Sequence, residues 1–148
     1  MKHLLTLLFA LGLALGLHQC AKVPRNGLLD GQWQLVAIDT ADVRAQRIYW
    51  RFQLDMVQYY PLYARLNTDL NYTSIHSRFA HTARQLTLSA PFLSLRAEGR
   101  DSILPPDTSI EFTPVGLPQL PITFEVQSLT SSELVLSHGD RIWRLRKF

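Results

Sequence analysis

Cysteine is nearly absent. Cys20 is the only one in 148 residues, which excludes a disulfide framework within the chain and a zinc site built on several thiolates. Charge is sparse: 18% of residues are charged and the formal net charge is +3. The basic residues are scattered, with only Arg144, Arg146 and Lys147 close together. A solvated strand face accounts for that trio better than a nucleic-acid patch, so no nucleic-acid partner is expected. There is no glycine-rich phosphate loop, no carboxylate pair that stands out as general acid and base, and no strand-turn-helix nucleophile motif. The longest apolar run, Leu4 to Leu17, spans about 21 Å as a helix, short of the ~30 Å hydrocarbon core. A permanent transmembrane helix is therefore not expected. Catalysis, cofactors and metals find no support in these residues.

What is present begins with that run. Met1-Lys2-His3 is a short positive start, and Leu4 to Leu17 has the length of a signal-peptide apolar region. Residues 1–19 are expected to be removed. Cys20 sits where the run gives out, and the segment resembles a bacterial lipoprotein leader, cut before a cysteine whose sulfur then carries a diacylglycerol. Leu17 fits the position three before the cysteine, whereas His18 and Gln19 depart from the usual small residues. Ordinary secretion, with a cut after Ala14-Leu15-Gly16, is the alternative. Lipidation is preferred because an unpaired thiol is a liability in an oxidising compartment. Residues 20–30, with Pro24, Asn26 and Gly27, are expected to form a lipidated tether.

The remainder, residues 31–148, is one domain with enough apolar sequence, 47% over the whole chain, to build a core. Gly31 to Asp39 predicts a strand with Trp33, Leu35 and Ala37 on one face and Val36 and Ile38 on the other. Arg47 to Tyr60 predicts one long, bent strand with Ile48, Trp50, Phe52, Leu54 and Met56 inward, ended by Pro61. Leu62 to Asn71 is open between a short helix and extended turns. Ile75 to Ala83 and Gln85 to Ala90 predict a hairpin, and Phe92 to Arg96 a further short strand. Five of the eight prolines, at 105, 106, 114, 118 and 121, predict a long irregular connection over Gly99 to Pro121, with at most brief pairing at Ile110 to Phe112. Regular strands return at Ile122 to Gln127 and Glu133 to Ser137, then a turn at His138-Gly139-Asp140 and a last strand from Arg141 to Phe148. A first strand paired with this last one would close the sheet and leave no exposed edge.

Gly31-Gln32-Trp33 resembles the Gly-x-Trp signature that opens the first strand of lipocalins. In that superfamily a basic residue on the last strand packs over the tryptophan. Arg146 is the best match, with Arg144 second, so Gly31, Trp33, Arg144 and Arg146 form the expected structural signature. With the leader, the chain resembles small bacterial lipocalin-like lipoproteins of unassigned activity. The resemblance implies an all-β, antiparallel up-and-down barrel. About eight strands are needed to close one; roughly six are evident, so the barrel is either incomplete or carries a long proline-rich connection.

Candidate chemistry is thin. His76 and His81 are five apart, on opposite faces of a regular strand, and are solvated rather than metal ligands. Ser137, His138 and Asp140 carry the letters of a hydrolase triad, but a triad converges from separate elements, and a hairpin turn accounts for them. The inward candidates are Trp50, Phe52, Met56, Phe124, Val126 and Trp143, with Tyr59 and Tyr60 beside Pro61 at a rim. Such residues either fill a small barrel or line a ligand cavity, and bulky aromatics favour filling. The expected function is a non-enzymatic binding module for a small apolar ligand, held to a bacterial envelope membrane by lipid on Cys20 or else secreted to the periplasm. The alternative is a structural or accessory subunit of an envelope protein complex, with a filled barrel.

Overall fold

A computed structural model describes residues 25–62, 75–95, 100–103 and 111–148, with the backbone alone at 93–95 and 100–103. The leader, Cys20, the tether to residue 24, the ambiguous stretch from 63 to 71 and Ile110 lie outside these residues. Among the described residues, ten strands form one antiparallel sheet: β1 (Gly31–Ile38), β2 (Ala41–Asp42), β3 (Ile48–Gln53), β4 (Met56–Pro61), β5 (Ile75–His81), β6 (Gln85–Leu95), β7 (Arg100–Ile103), β8 (Ile122–Leu129), β9 (Glu133–His138) and β10 (Arg141–Lys147). Eight of them close a barrel in the order β1-β3-β4-β5-β6-β8-β9-β10, and β10 returns to β1. β2 only extends the edge of β1, and β7 pairs with the far half of β6.

The closing seam joins the two strands expected to meet. Trp33 lies opposite Lys147, Gln34 opposite Arg146 and Leu35 opposite Leu145. A bulge between Leu35 and Ala37 then shifts the register, so that Ile38 faces Trp143. Such an extra residue re-aims the side chains beyond it. Ile38 accordingly packs on the core rather than on the outer face.

Alternation elsewhere follows the pleat. Leu86 and Leu88, Ile122 and Phe124, Leu134 and Leu136, and Trp143 and Leu145 are buried, while the residues between them are mostly exposed or half-exposed.

Three expectations are corrected. The stretch from Arg47 to Tyr60 is not one bent strand but a hairpin, β3 and β4, folded at Leu54-Asp55 with Trp50 opposite Tyr59. Leu54 takes φ 58° and stands 51% exposed in the turn, and Met56 falls with Gln58 on the outward row that alternates with inward-facing Val57 and Tyr59. The proline-rich connection begins with a strand, β7. And residues 26–30 belong to the fold rather than to a tether: a 3-10 turn at Gly27–Leu29 buries Leu29, and Asn26 donates to both oxygens of Asp30 and to the Leu54 carbonyl.

The barrel therefore has two unlike poles. The lower pole carries this 3-10 turn and the β3–β4, β5–β6 and β8–β9 turns; the upper pole carries the β9–β10 turn and the connection into β8. At the upper end of the seam Asp39 caps β10. Its carboxylate accepts from the Ile142 amide at 2.8 Å and from Arg141 Nε at 3.2 Å. The Ile142 amide and, less strongly, Arg141 hold the Asp39 carboxyl below its usual range. The lowered value belongs to the folded chain. The stability it confers is present above the ordinary carboxylate range near pH ~4 and is lost as pH falls through the lowered value. In acid titrations of thermal stability, Asp39→Asn should be less stable than the parent at neutral pH, with the gap closing below that range. Parallel curves would remove Asp39 from the account.

Candidate functional site

In a barrel of this size the interior is the first place to look for a binding site. Among the described residues it is filled from three directions. The wall supplies Trp33, Trp50, Trp143, Tyr59, Phe52 and Phe124, each fully buried. Trp50 meets Tyr59 edge-on at 5.7 Å between centroids, and Phe124 meets Trp143 at 5.0 Å. Phe52 meets Phe79 at 5.1 Å, so two of the three pairs reach past an intervening strand, from β3 to β5 and from β8 to β10. Edge-to-face pairs of this kind are favourable beyond their buried area.

The upper pole supplies the second part. The connection into β8 makes a 3-10 turn at Thr113–Val115, and Val115 and Leu117 are buried in the core. Gly116, at φ 77°, passes so close to the wall that a β-carbon there would lie 2.3 Å from Leu35 Cδ2. Two indoles hold this plug. Trp50 Nε1 donates to the Val115 carbonyl at 2.9 Å and Trp143 Nε1 to the Gly116 carbonyl at 2.7 Å. A buried indole N–H and a buried carbonyl each need such a partner.

The lower pole supplies the third. Trp33 Nε1 donates to the Leu29 carbonyl at 2.8 Å. The cation over Trp33 is Lys147, with its ammonium 4.8 Å from the ring centroid and 2.6 Å from the Leu28 carbonyl it donates to. Gly31 explains why glycine opens the signature. It has φ 119°, and a β-carbon there would stand 3.0 Å from Lys147 Cε. The missing side chain gives the lysine stem its path. Arg146, the expected partner of Trp33, instead faces outward and donates to Gln34 Oε1 at 3.2 Å. Arg144 is exposed on the same outer row.

The other candidate residues separate by face. Trp50, Phe52, Tyr59, Phe124 and Trp143 come together inside. Tyr60 lies outside and is 37% exposed. Val126 is half-buried and also edges an open groove of about 620 Å³ with Thr82, Arg84, Gln85, Glu125 and Gln127. Tyr59 adds a polar contact between side chains to the interior, sharing a 2.7 Å hydrogen bond with the buried Ser77 hydroxyl. Burial pushes the Tyr59 phenol far above its ordinary value, against a smaller opposite pull from Ser77, so it stays neutral. Ser77 gave no signal in the sequence beyond its inward position on β5.

The three letters of a hydrolase triad, Ser137, His138 and Asp140, stay together on the β9–β10 hairpin. Ser137 accepts from Gln127 at 2.8 Å, and His138 Nδ1 lies 2.8 Å from the Thr123 carbonyl, so the two are engaged separately. Among the described residues no group of three or more His, Cys, Asp or Glu side chains could hold a metal ion.

The closed eight-strand barrel agrees with the comparisons. The model of the lipocalin-like domain family matches residues 13–148. The chain belongs to that family. A solved lipocalin-like protein from Bacteroides uniformis superposes with a TM-score of 0.53 at 19% identity, covering 82% of this chain and 100% of that one. An uncharacterised protein from Bacteroides eggerthii gives 0.49 at 17% identity, covering 80% and 98%. Identities this low speak to the fold alone. No curated protein sequence matches the chain. The lipocalin-like fold is commonly a binding module and typically not a catalytic one.

The plug can be tested through its glycine. Alanine at Gly116 or at Gly139, where φ is 56° and nothing stands within 4 Å, incurs the same left-handed strain of about 1–2 kcal/mol. Only Gly116→Ala also drives a methyl group into Leu35, which adds about 1–3 kcal/mol. Urea unfolding should therefore find Gly116→Ala the less stable variant by that increment. Equal losses would mean that the plug is not seated against β1.

Proposed function

We propose that this member of the lipocalin-like family is an exported lipoprotein, fixed to a bacterial envelope membrane by lipid on Cys20. It acts without catalysis and through the outside of a filled barrel, as a structural or accessory subunit of an envelope assembly. The observation that carries this reading is the occupied interior. The space a lipocalin-like module offers to a ligand is taken here by Val115 and Leu117, seated between Trp50 and Trp143. Side chains packed into this space at protein density would compete with an apolar guest for it.

One observation favours the second reading, a small apolar ligand. The occupant is a connection rather than a strand, held among the described contacts by two indole hydrogen bonds. Its withdrawal would open a cavity walled by Trp50, Tyr59, Phe124 and Trp143.

Native mass spectrometry of the protein extracted from envelopes, together with crosslinking in whole cells, separates the two. The accessory reading predicts the mass of the chain with its acyl groups alone and one reproducible crosslinked partner. A stoichiometric small apolar compound in the spectrum would establish the second reading instead, and a clean monomer after crosslinking would contradict the first.

A further inference from the structure

The outer surface of the barrel differs from side to side. On β6 and β8 the outward positions carry Thr87, Thr123, Glu125 and Gln127, all exposed, and the two threonine hydroxyls share a 3.2 Å hydrogen bond. On β10, β1, β3 and β4 they carry mainly arginine, glutamine and aromatic residues, and no lysine, aspartate, glutamate or serine. Arginine and aromatic residues are the types enriched where protein surfaces meet, and the four missing types are among those depleted there.

Two rows run across this wall in register. Gln34, Tyr49 and Tyr60 lie side by side on β1, β3 and β4, and Gln32, Arg51 and Gln58 form the row next to them. The Phe148 ring joins the first row from the β10 side, meeting Tyr49 edge-on at 5.3 Å. Leu62 continues the β3–β4 ladder past Tyr60, its amide donating to the Arg47 carbonyl at 3.0 Å. Five large apolar side chains are exposed among the described residues, and three of them, Tyr60 (37%), Leu62 (42%) and Phe148 (72%), border this wall.

The polar side chains between them are ordered in advance. Arg51 donates to Gln32 Oε1 at 2.6 Å through one terminal nitrogen and to Gln58 Oε1 at 3.4 Å through the other. Arg146 donates to Gln34, which is 6% exposed and donates in turn to the Arg44 carbonyl. Side chains held this way lose little freedom on binding. Amide oxygens do not neutralise a guanidinium. No acid lies across from Arg51, and Arg144 has Ala37 and Val135 for its cross-strand neighbours. The acids that border the wall sit beside other arginines: Asp42 pairs with Arg44 at 2.6 Å, and Glu133 lies opposite Arg146. The Phe148 carboxylate lies at the lower end, beyond β10.

We propose that the wall formed by β10, β1, β3 and β4 is the docking surface for a folded protein whose own surface presents carboxylates around an apolar patch. The apolar patch covers Phe148, Tyr60 and Leu62. The carboxylates meet the guanidinium forks of Arg51 and Arg144, where bidentate pairing gives both attraction and register. The inference deepens the accessory-subunit reading and rests on it, adding which side of the barrel the partner takes and what chemistry it brings.

The test uses the full chain in the cells that make it, with the photo-crosslinker p-benzoylphenylalanine replacing Tyr60 or Phe148 on this wall and Thr87 or Gln127 on the opposite one. The proposal predicts one protein adduct from positions 60 and 148 and none from 87 and 127, with mass spectrometry placing the crosslinked partner peptide beside aspartate or glutamate. Arg144→Glu should lower the adduct from position 60 about tenfold or more, because it sets like charges against each other, and the milder Arg144→Gln should lower it less. Arg144 is exposed, so both variants should melt with the parent. Replacing the partner's mapped carboxylate by lysine should restore the adduct of Arg144→Glu. Adducts from the opposite wall alone, or equal adducts from both, overturn the docking wall and leave the accessory reading standing. A glycan or lipid adduct in place of a protein overturns the occupant, and an adduct unmoved by charge reversal at both Arg51 and Arg144 overturns its acidic character. No protein adduct from either wall overturns the accessory reading and this inference with it.

Discussion

Three buried indole N–H groups hold this barrel together. Each donates to a backbone carbonyl that no strand supplies: Trp33 to Leu29, Trp50 to Val115 and Trp143 to Gly116. A fully buried indole left without an acceptor would cost about 1–3 kcal/mol. So would each of the carbonyls. Satisfying both at once is what draws a 3-10 turn into the lower end of the barrel and a proline-rich connection into the upper. The remaining core follows from that constraint, because the plugs bring Leu29, Val115 and Leu117 into the space between the aromatic walls.

Where regular alternation met ordinary turn chemistry, the fold was legible in the sequence. The last three strands lie where Ile122-x-Phe124, Leu134-x-Leu136 and Trp143-x-Leu145 place them, and the first strand meets the last in antiparallel register. The β3–β4 hairpin was not legible, because its turn carries leucine at positive φ rather than glycine or asparagine. Tertiary contacts hold it: the Leu54 carbonyl by Asn26, the Asp55 carbonyl by the Phe79 amide, and the Asp55 side chain by Arg78. An uninterrupted apolar alternation across such a turn looks like one strand.

The signature cation was misplaced for a related reason. Counting alone cannot say that Lys147 reaches back along Gly31 while Arg146, one residue earlier, turns outward to Gln34. The plug was hidden more deeply. Prolines at 114, 118 and 121 mark an irregular segment, but nothing in them says that it turns inward. The two tryptophans that receive it were evident as interior residues, without their partners. Function divides along the same line. Interior aromatics alone leaned only slightly toward a filled core over a ligand cavity, and the seated connection strengthens that reading, moving attention to the outside of the barrel.

The most direct measurement of this account is solvent exchange at the three tryptophan indole protons, followed by nitrogen-edited NMR on the folded protein. Each indole resonance should be strongly protected and should exchange only through opening of the barrel itself. Rapid exchange at Trp50 and Trp143 in an otherwise intact fold would place the connection outside the barrel, and rapid exchange at Trp33 would detach the lower turn.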